Sequence, residues 1–157
     1  MSTDIQFEDG NLIVTRIYDA PREAVFEAWV ETSKVEQWWG CAQTTAVRSE
    51  IEPRVGGKYN HLMTLEGVGD VPSVSVLVAF DPPERIAFES PSPAGPDATM
   101  TVTVEFTDLG DGRTQVRLTH AGIPDMRVDG DIELREIIRT GWTAAFGKLA
   151  EFLGAAA

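Results

Sequence analysis

Few residues in this 157-residue chain have side chains suited to chemistry. It carries two histidines and one cysteine, set among 25 acidic and 13 basic residues. His61 falls between Tyr59 and Met63 in a run of alternating character, so its ring shares their apolar face. There it would act as a hydrogen-bonding group or general base inside a cavity, or it would be a core histidine bonded to a neighbour. His120 stands at the end of another alternating run, just before Ala121-Gly122, and a surface or loop position is expected for it. Cys41 has no histidine or strong base near it in sequence, and a structural role is expected. Asp125, Asp129, Asp131 and Glu133 cluster, but without the glycine and closing glutamate of a calcium loop; helix capping and a solvated acidic face explain them better. Gly56-Gly57 lacks the lysine spacing and following helix of a phosphate loop. No nucleotide fingerprint, metal motif or Ser-His-Asp order is present, so neither a cofactor nor a metal is expected.

A second set of residues suggests binding. Trp142 and Phe146 are one helical turn apart. With Tyr59, Met63 and Met100 they would form an aromatic and thioether lining for an apolar small molecule, or they would simply be core. Of the pair Trp38-Trp39, one ring should pack inward and the other line a cavity mouth or an interface; Trp39 joins the candidate ligand-binding set. Gly141 sits inside the same helical stretch, where glycine costs about 1 kcal/mol relative to alanine. A close strand, a kink or space for a ligand would offset that cost.

The elements that must position these residues follow from periodicity. Residues 11–18 are rich in β-branched and aromatic types and read as a strand. Pro21, Asp19 and Glu23 suit the start of a short helix with Ala24, Val25, Ala28 and Trp29 on its apolar stripe. Ser33-Lys-Val-Glu36 has the pattern of a capping box for a second short helix carrying Val35, Trp38 and Trp39 and ending at Gly40. Period-two alternation then marks strands at 44–52, 58–66, 73–80, 85–89, 99–106 and 113–120, with Val74, Val76, Val78 and Phe80 on the inner face of the third. Residues 90–97, with three prolines, form a loop unable to pair in a sheet, and residues 108–113 form a hairpin turn. From Leu134 to Leu153 apolar residues recur at helical spacing, which predicts one long amphipathic helix starting near Asp129 or Asp131, with residues 154–157 frayed.

The length suits a single domain over residues 1–157, with a core at about 12–153. The formal net charge of −12 and the absence of a basic run argue against nucleic acid and anionic lipid surfaces as partners. The polar, acidic start is no signal peptide, and no apolar run approaches the ~20 residues of a membrane span. A cytoplasmic, soluble protein is expected.

Strand, two short helices, six strands and one long helix describe an α+β chain. Its curved antiparallel sheet of about seven strands must cover its apolar face with the only large helix. That is the helix-grip architecture of pollen allergens and steroid-transfer domains. Arg16, Asp19-Ala-Pro-Arg-Glu-Ala-Val-Phe26, Trp38-Trp-Gly40, Arg54-Val-Gly-Gly57, Asp81-Pro-Pro-Glu-Arg85, Gly112-Arg-Thr114, Gly141-Trp142 and Lys148-Leu-Ala-Glu-Phe-Leu153 together resemble the family named after the activator of Hsp90 ATPase, within the helix-grip ligand-binding superfamily. The resemblance implies a hollow between sheet and helix holding a small apolar or amphipathic molecule. It also admits a chaperone partner, and an enzyme with His61 as acid or base. Homodimerisation through exposed strands or the tryptophan end is left open.

Overall fold

The computed structural model describes residues 3–128 and 130–156. The elements are β1 (Asp4–Glu8), β2 (Asn11–Tyr18), α1 (Arg22–Val30), α2 (Thr32–Val35), β3 (Thr44–Ile51), β4 (Tyr59–Leu65), β5 (Gly69–Ser73), β6 (Val76–Asp81), β7 (Arg85–Pro91), β8 (Thr99–Gly110), β9 (Arg113–Ala121), β10 (Arg127–Val128), β11 (Ile132–Glu133) and α3 (Leu134–Ala156). Among the described residues every pairing is antiparallel: β10 pairs only with β11, and the other strands form two sheets, a 6-stranded one ordered β1-β2-β9-β8-β7-β6 and a 3-stranded one ordered β3-β4-β5. The two sheets are stitched where β4 meets the start of β6: the Tyr59 N–H donates to the Ser75 carbonyl, and Lys58 bridges Val76.

The α+β helix-grip plan stands, with a long C-terminal helix against a large antiparallel sheet. Several details differ from the expectation. An additional strand, β1, precedes the expected first one. Its Ile5 and Phe7 alternate with exposed neighbours, and Asp9-Gly10, both at positive φ, close a two-residue hairpin onto β2. The expected strand 73–80 is two pieces, and its valine face points outward. Ser73 pairs with inward-facing His61, so parity places Ser75 and Leu77 inside as well. Leu77 is then locked by hydrogen bonds to Gly56 and Gly57, which leaves Val74, Val76 and Val78 57%, 46% and 44% exposed. A bulge between Leu77 and Ala79 reverses the phase, and Phe80 turns inward to meet Phe26 edge-on at 5.8 Å.

Other boundaries also shift. Helix α2 begins one residue before Ser33, directly from the end of α1, with Glu31 at its N-cap and no side-chain cap. The Glu36 carboxylate instead accepts the Ser49 N–H at 2.9 Å, so it ties α2 to β3 rather than closing a capping box. Ser90 and Pro91, expected in the loop, pair with Met100 and Thr99 at the end of β7. Helix α3 starts at Leu134 because the preceding residues form the β10–β11 hairpin; Asp129 lies outside the described residues. The helix continues through Ala156, where fraying was expected, and Ala157 lies outside the described residues.

The core sits between the 6-stranded sheet, α1, α2 and the C-terminal half of α3. Leu12, Val14, Ile86, Val104, Val116 and Leu118 supply the sheet face, and Phe146 and Leu149 the helix, all fully buried. Two tyrosine hydroxyls clamp it through buried hydrogen bonds: Tyr18 donates to the Phe146 carbonyl at 3.0 Å, and Tyr59 to the Trp29 carbonyl at 2.7 Å. Burial raises the hydroxyl pKa of both.

Candidate functional site

The N-terminal half of α3 does not sit flush on the sheets. Between it, β4, the end of β9 and the chain leaving α2 lies a groove of about 350 Å³. Helix α3 contributes Ile137, Ile138, Trp142 and Ala145, at the i, i+1, i+5 and i+8 positions of one stripe. Met63 and Leu65 come from the inward face of β4, and Trp39 closes the end below α2. Gly141 belongs to the helical wall, and a Cβ built on it would meet nothing within 4 Å. Of the three offsets considered for that glycine, open space is the one observed. Gly40, at φ +104°, has the opposite reason for being glycine: a Cβ there would collide with Thr44.

The most deeply buried polar residue of the groove wall is His120; half-buried Ser73 and Cys41 also line it. His120 is 7% exposed and accepts a hydrogen bond at Nδ1 from the Trp142 indole N–H at 3.0 Å. Its Nε2 is buried without a partner. Desolvation pushes its pKa down to about 4, so the ring is neutral at pH 7. At the rim, the Cys41 N–H donates to Thr44 Oγ1 at 3.0 Å, and the Lys148 ammonium donates to the Trp39 carbonyl at 3.0 Å. Burial lowers the Lys148 pKa, and the nearby Cys41 partly opposes that.

Trp39, Met63 and Trp142, from the sequence-derived set, meet at this groove. His61 lies behind Trp39, its ring stacked on the indole at 3.8 Å and its Nδ1 2.8 Å from Ser49 Oγ. Desolvation pushes its pKa down to about 3. Tyr59 and Phe146 are fully buried in the core, and half-buried Met100, on β8 opposite Ser90, is not among the groove residues. The sequence reading missed His120, placed on the surface although its alternation with Val116 and Leu118 marked an inward face. It also passed over Leu65, Ile137 and Ile138, whose periodicity gave a core face without showing that it would stay uncovered.

Two depressions of about 450 and about 470 Å³ lie elsewhere, one lined by His61 with Arg48, Ser49, Glu50, Leu62 and Val74, the other over charged residues including Arg22, Glu84 and Glu105. Mainly apolar walls with a few polar groups, His120, Ser73 and Cys41, make the groove the candidate binding site. Among the described residues no group of histidine, cysteine and carboxylate side chains could hold a metal ion, and no helix is long and apolar enough to cross a membrane.

Comparison with known proteins places the chain. Residues 19–154 match the family described as Activator of Hsp90 ATPase homolog 1-like protein. No curated protein matches it. Among solved structures it is similar to protein CV1439 from Chromobacterium violaceum, with 23% identity, a TM-score of 0.77 and coverage of 91% of this chain and 96% of that one. A protein from Arthrobacter aurescens has 19% identity and a TM-score of 0.77, with 99% and 92% covered. PFC0360w, an HSP90 activator from Plasmodium falciparum, has 21% identity and a TM-score of 0.71, with 92% and 96% covered. At these identities the likeness is one of fold.

Proposed function

The chain belongs to the activator-of-Hsp90-ATPase-homolog-1-like family, and from that premise we propose that it binds a small, largely apolar molecule between α3 and the sheets. One observation carries the reading. The groove is walled by Trp39, Met63, Ile138 and Trp142, and Gly141 of α3 adds no side chain to that wall, where a Cβ would meet nothing within 4 Å. A volume of about 350 Å³ is near the lower end for small-molecule pockets. It suits a molecule of two fused rings or a short branched chain.

Gly141 supplies the test. A Cβ at this position meets no protein atom within 4 Å, and leucine there removes the glycine cost to the helix and adds bulk at the groove wall. Gly141→Leu should therefore fold as stably as the parent and lose affinity for 2-isopropenylnaphthalene at least tenfold, measured by calorimetry and tryptophan fluorescence. Equal affinity in parent and variant places the ligand elsewhere and overturns the reading.

Contact with an Hsp90-type chaperone is a second reading. It is favoured by the family's description and by the HSP90 activator among the fold neighbours. Stimulation of a chaperone's ATPase by the purified protein tests it, and no binding at micromolar concentration removes it. Acid–base catalysis by His61 gains no support, because a ring stacked under Trp39 with a pKa near 3 is a poor proton acceptor at neutral pH.

A further inference from the structure

The groove lies on one face of β4, and the opposite face carries an apolar surface of its own. Met63 and Leu65 line the groove, whereas Leu62, of opposite parity, points outward and is exposed. The pairings of His61 with Ser73 and of Lys58 with Val76 share one register, so residues 72–76 run as a continuous line beside β4. Pro72, Val74 and Val76 form the outward side of that line, Val78 extends it along β6, and all four are exposed. Leu62 lies directly opposite Pro72, and with Pro72 and Val74 it lines the depression of about 450 Å³. Single exposed apolar residues are ordinary, but a contiguous apolar stripe rimmed by charge marks an interaction surface.

The charges beside the stripe say what fits it. Directly opposite residues of an antiparallel pair share a face. Val76 has Lys58 opposite it on one side and Glu89 of β7 opposite it on the other. A second copy stacked face to face, about a two-fold axis along the stripe, exchanges the two sides. Valine then meets valine, and Lys58 of each copy meets Glu89 of the other. Over most of its surface a chain of net charge −12 repels its own kind. This face is balanced instead: Arg48, Lys58 and Arg54, which pairs with Glu52, offset Glu50, Glu52 and Glu89. The stripe from Pro72 to Val78 is about 20 Å long, and β3 to β7 spans about 15 Å, a small area for a specific interface. We propose that this outer face of β4 and β6 is a homodimer surface, weak and concentration-dependent, with the valine stripes of two copies packed together and Lys58 paired to Glu89 on either side of them.

Sedimentation velocity of the full chain, from about 2 to about 200 µM at physiological salt, reads the equilibrium directly. Monomer should dominate at the low end and dimer at the high end. Val74→Asp alters an exposed side chain, so it should fold like the parent by circular dichroism and urea unfolding. It places a charge inside the interface twice per dimer and should weaken association at least about tenfold. Lys58→Glu and Glu89→Lys each set like charges across the axis, and each alone should weaken the dimer. The double variant carries opposite charges again and should return to within about threefold of the parent. A chain that stays monomeric at the highest concentration overturns the proposal and leaves the stripe to a different protein. A dimer unmoved by Val74→Asp, or one that the double variant does not restore, is built on another face or in another orientation and overturns it as well. None of these outcomes bears on ligand binding in the groove.

Discussion

Acid should weaken this fold well before its carboxylates protonate, and the cause would be its two histidines. Both are neutral and buried, with folded pKa values of about 3 for His61 and about 4 for His120. In the unfolded chain each ring titrates near 6.5. A depressed folded pKa means that the unfolded state binds protons first. The stabilisation is complete above pH 6.5 and is lost as pH falls toward the folded values. Between pH 7.0 and 5.5 the unfolded state gains about 1.3 kcal/mol from each ring, hence about 2.5 kcal/mol from both. The figure hardly depends on the folded values, provided that both lie below about 4.5. Residues meeting the two rings, Ser49, Trp39 and Tyr59 around His61 and Trp142 at His120, carry no charge at these pH values. Ordinary aspartates and glutamates titrate near 3.9 and 4.3, so they contribute little in this window. Urea unfolding followed by tryptophan fluorescence at constant ionic strength, at pH 7.0, 6.5, 6.0 and 5.5, reads the slope directly. His61→Gln and His120→Gln should each lower stability at pH 7 and each remove about half of the slope. A total change below about 1 kcal/mol in the parent would show that at least one ring is hydrated and protonatable in the folded state, which would refute the argument.

Other substitutions probe the packing. Gly141→Ala adds a methyl group that meets nothing, and it should stabilise the protein by about 0.5–1 kcal/mol in the same urea assay. Leu77→Ala should cost about 2–4 kcal/mol, whereas Val76→Thr should stay within about 0.5 kcal/mol; the reverse order would mean that β6 faces the other way. Tyr59→Phe removes the hydroxyl that donates to the Trp29 carbonyl in the core, and a loss of about 1–2 kcal/mol is expected, read as a lower urea midpoint at unchanged slope.

Local sequence determined a good deal of this protein. The strand at 11–18, the apolar stripe on α3 and the alternation Tyr59, His61, Met63, Leu65 are short-range patterns, because the periods of helix and strand are built into the backbone. The Asp111-Gly112 turn, both residues at positive φ, is likewise encoded where it stands. Composition and order of elements were enough to reach the helix-grip plan. What they could not supply was anything that depends on two distant segments at once. Which face of β6 is buried follows from Ser73 sitting opposite His61 and Leu77 bonding to Gly56 and Gly57, and a shift of one residue would have inverted every side chain. The valines looked better suited to the inside, but the pairing overruled them. In the same way, an apolar stripe shows that a surface wants covering without showing whether it is covered. Trp142, Phe146 and Tyr59 share one character in sequence, yet only Trp142 borders open space. His120 became a groove residue through an indole 22 positions away on another element, a contact that only the packing of α3 against β9 creates.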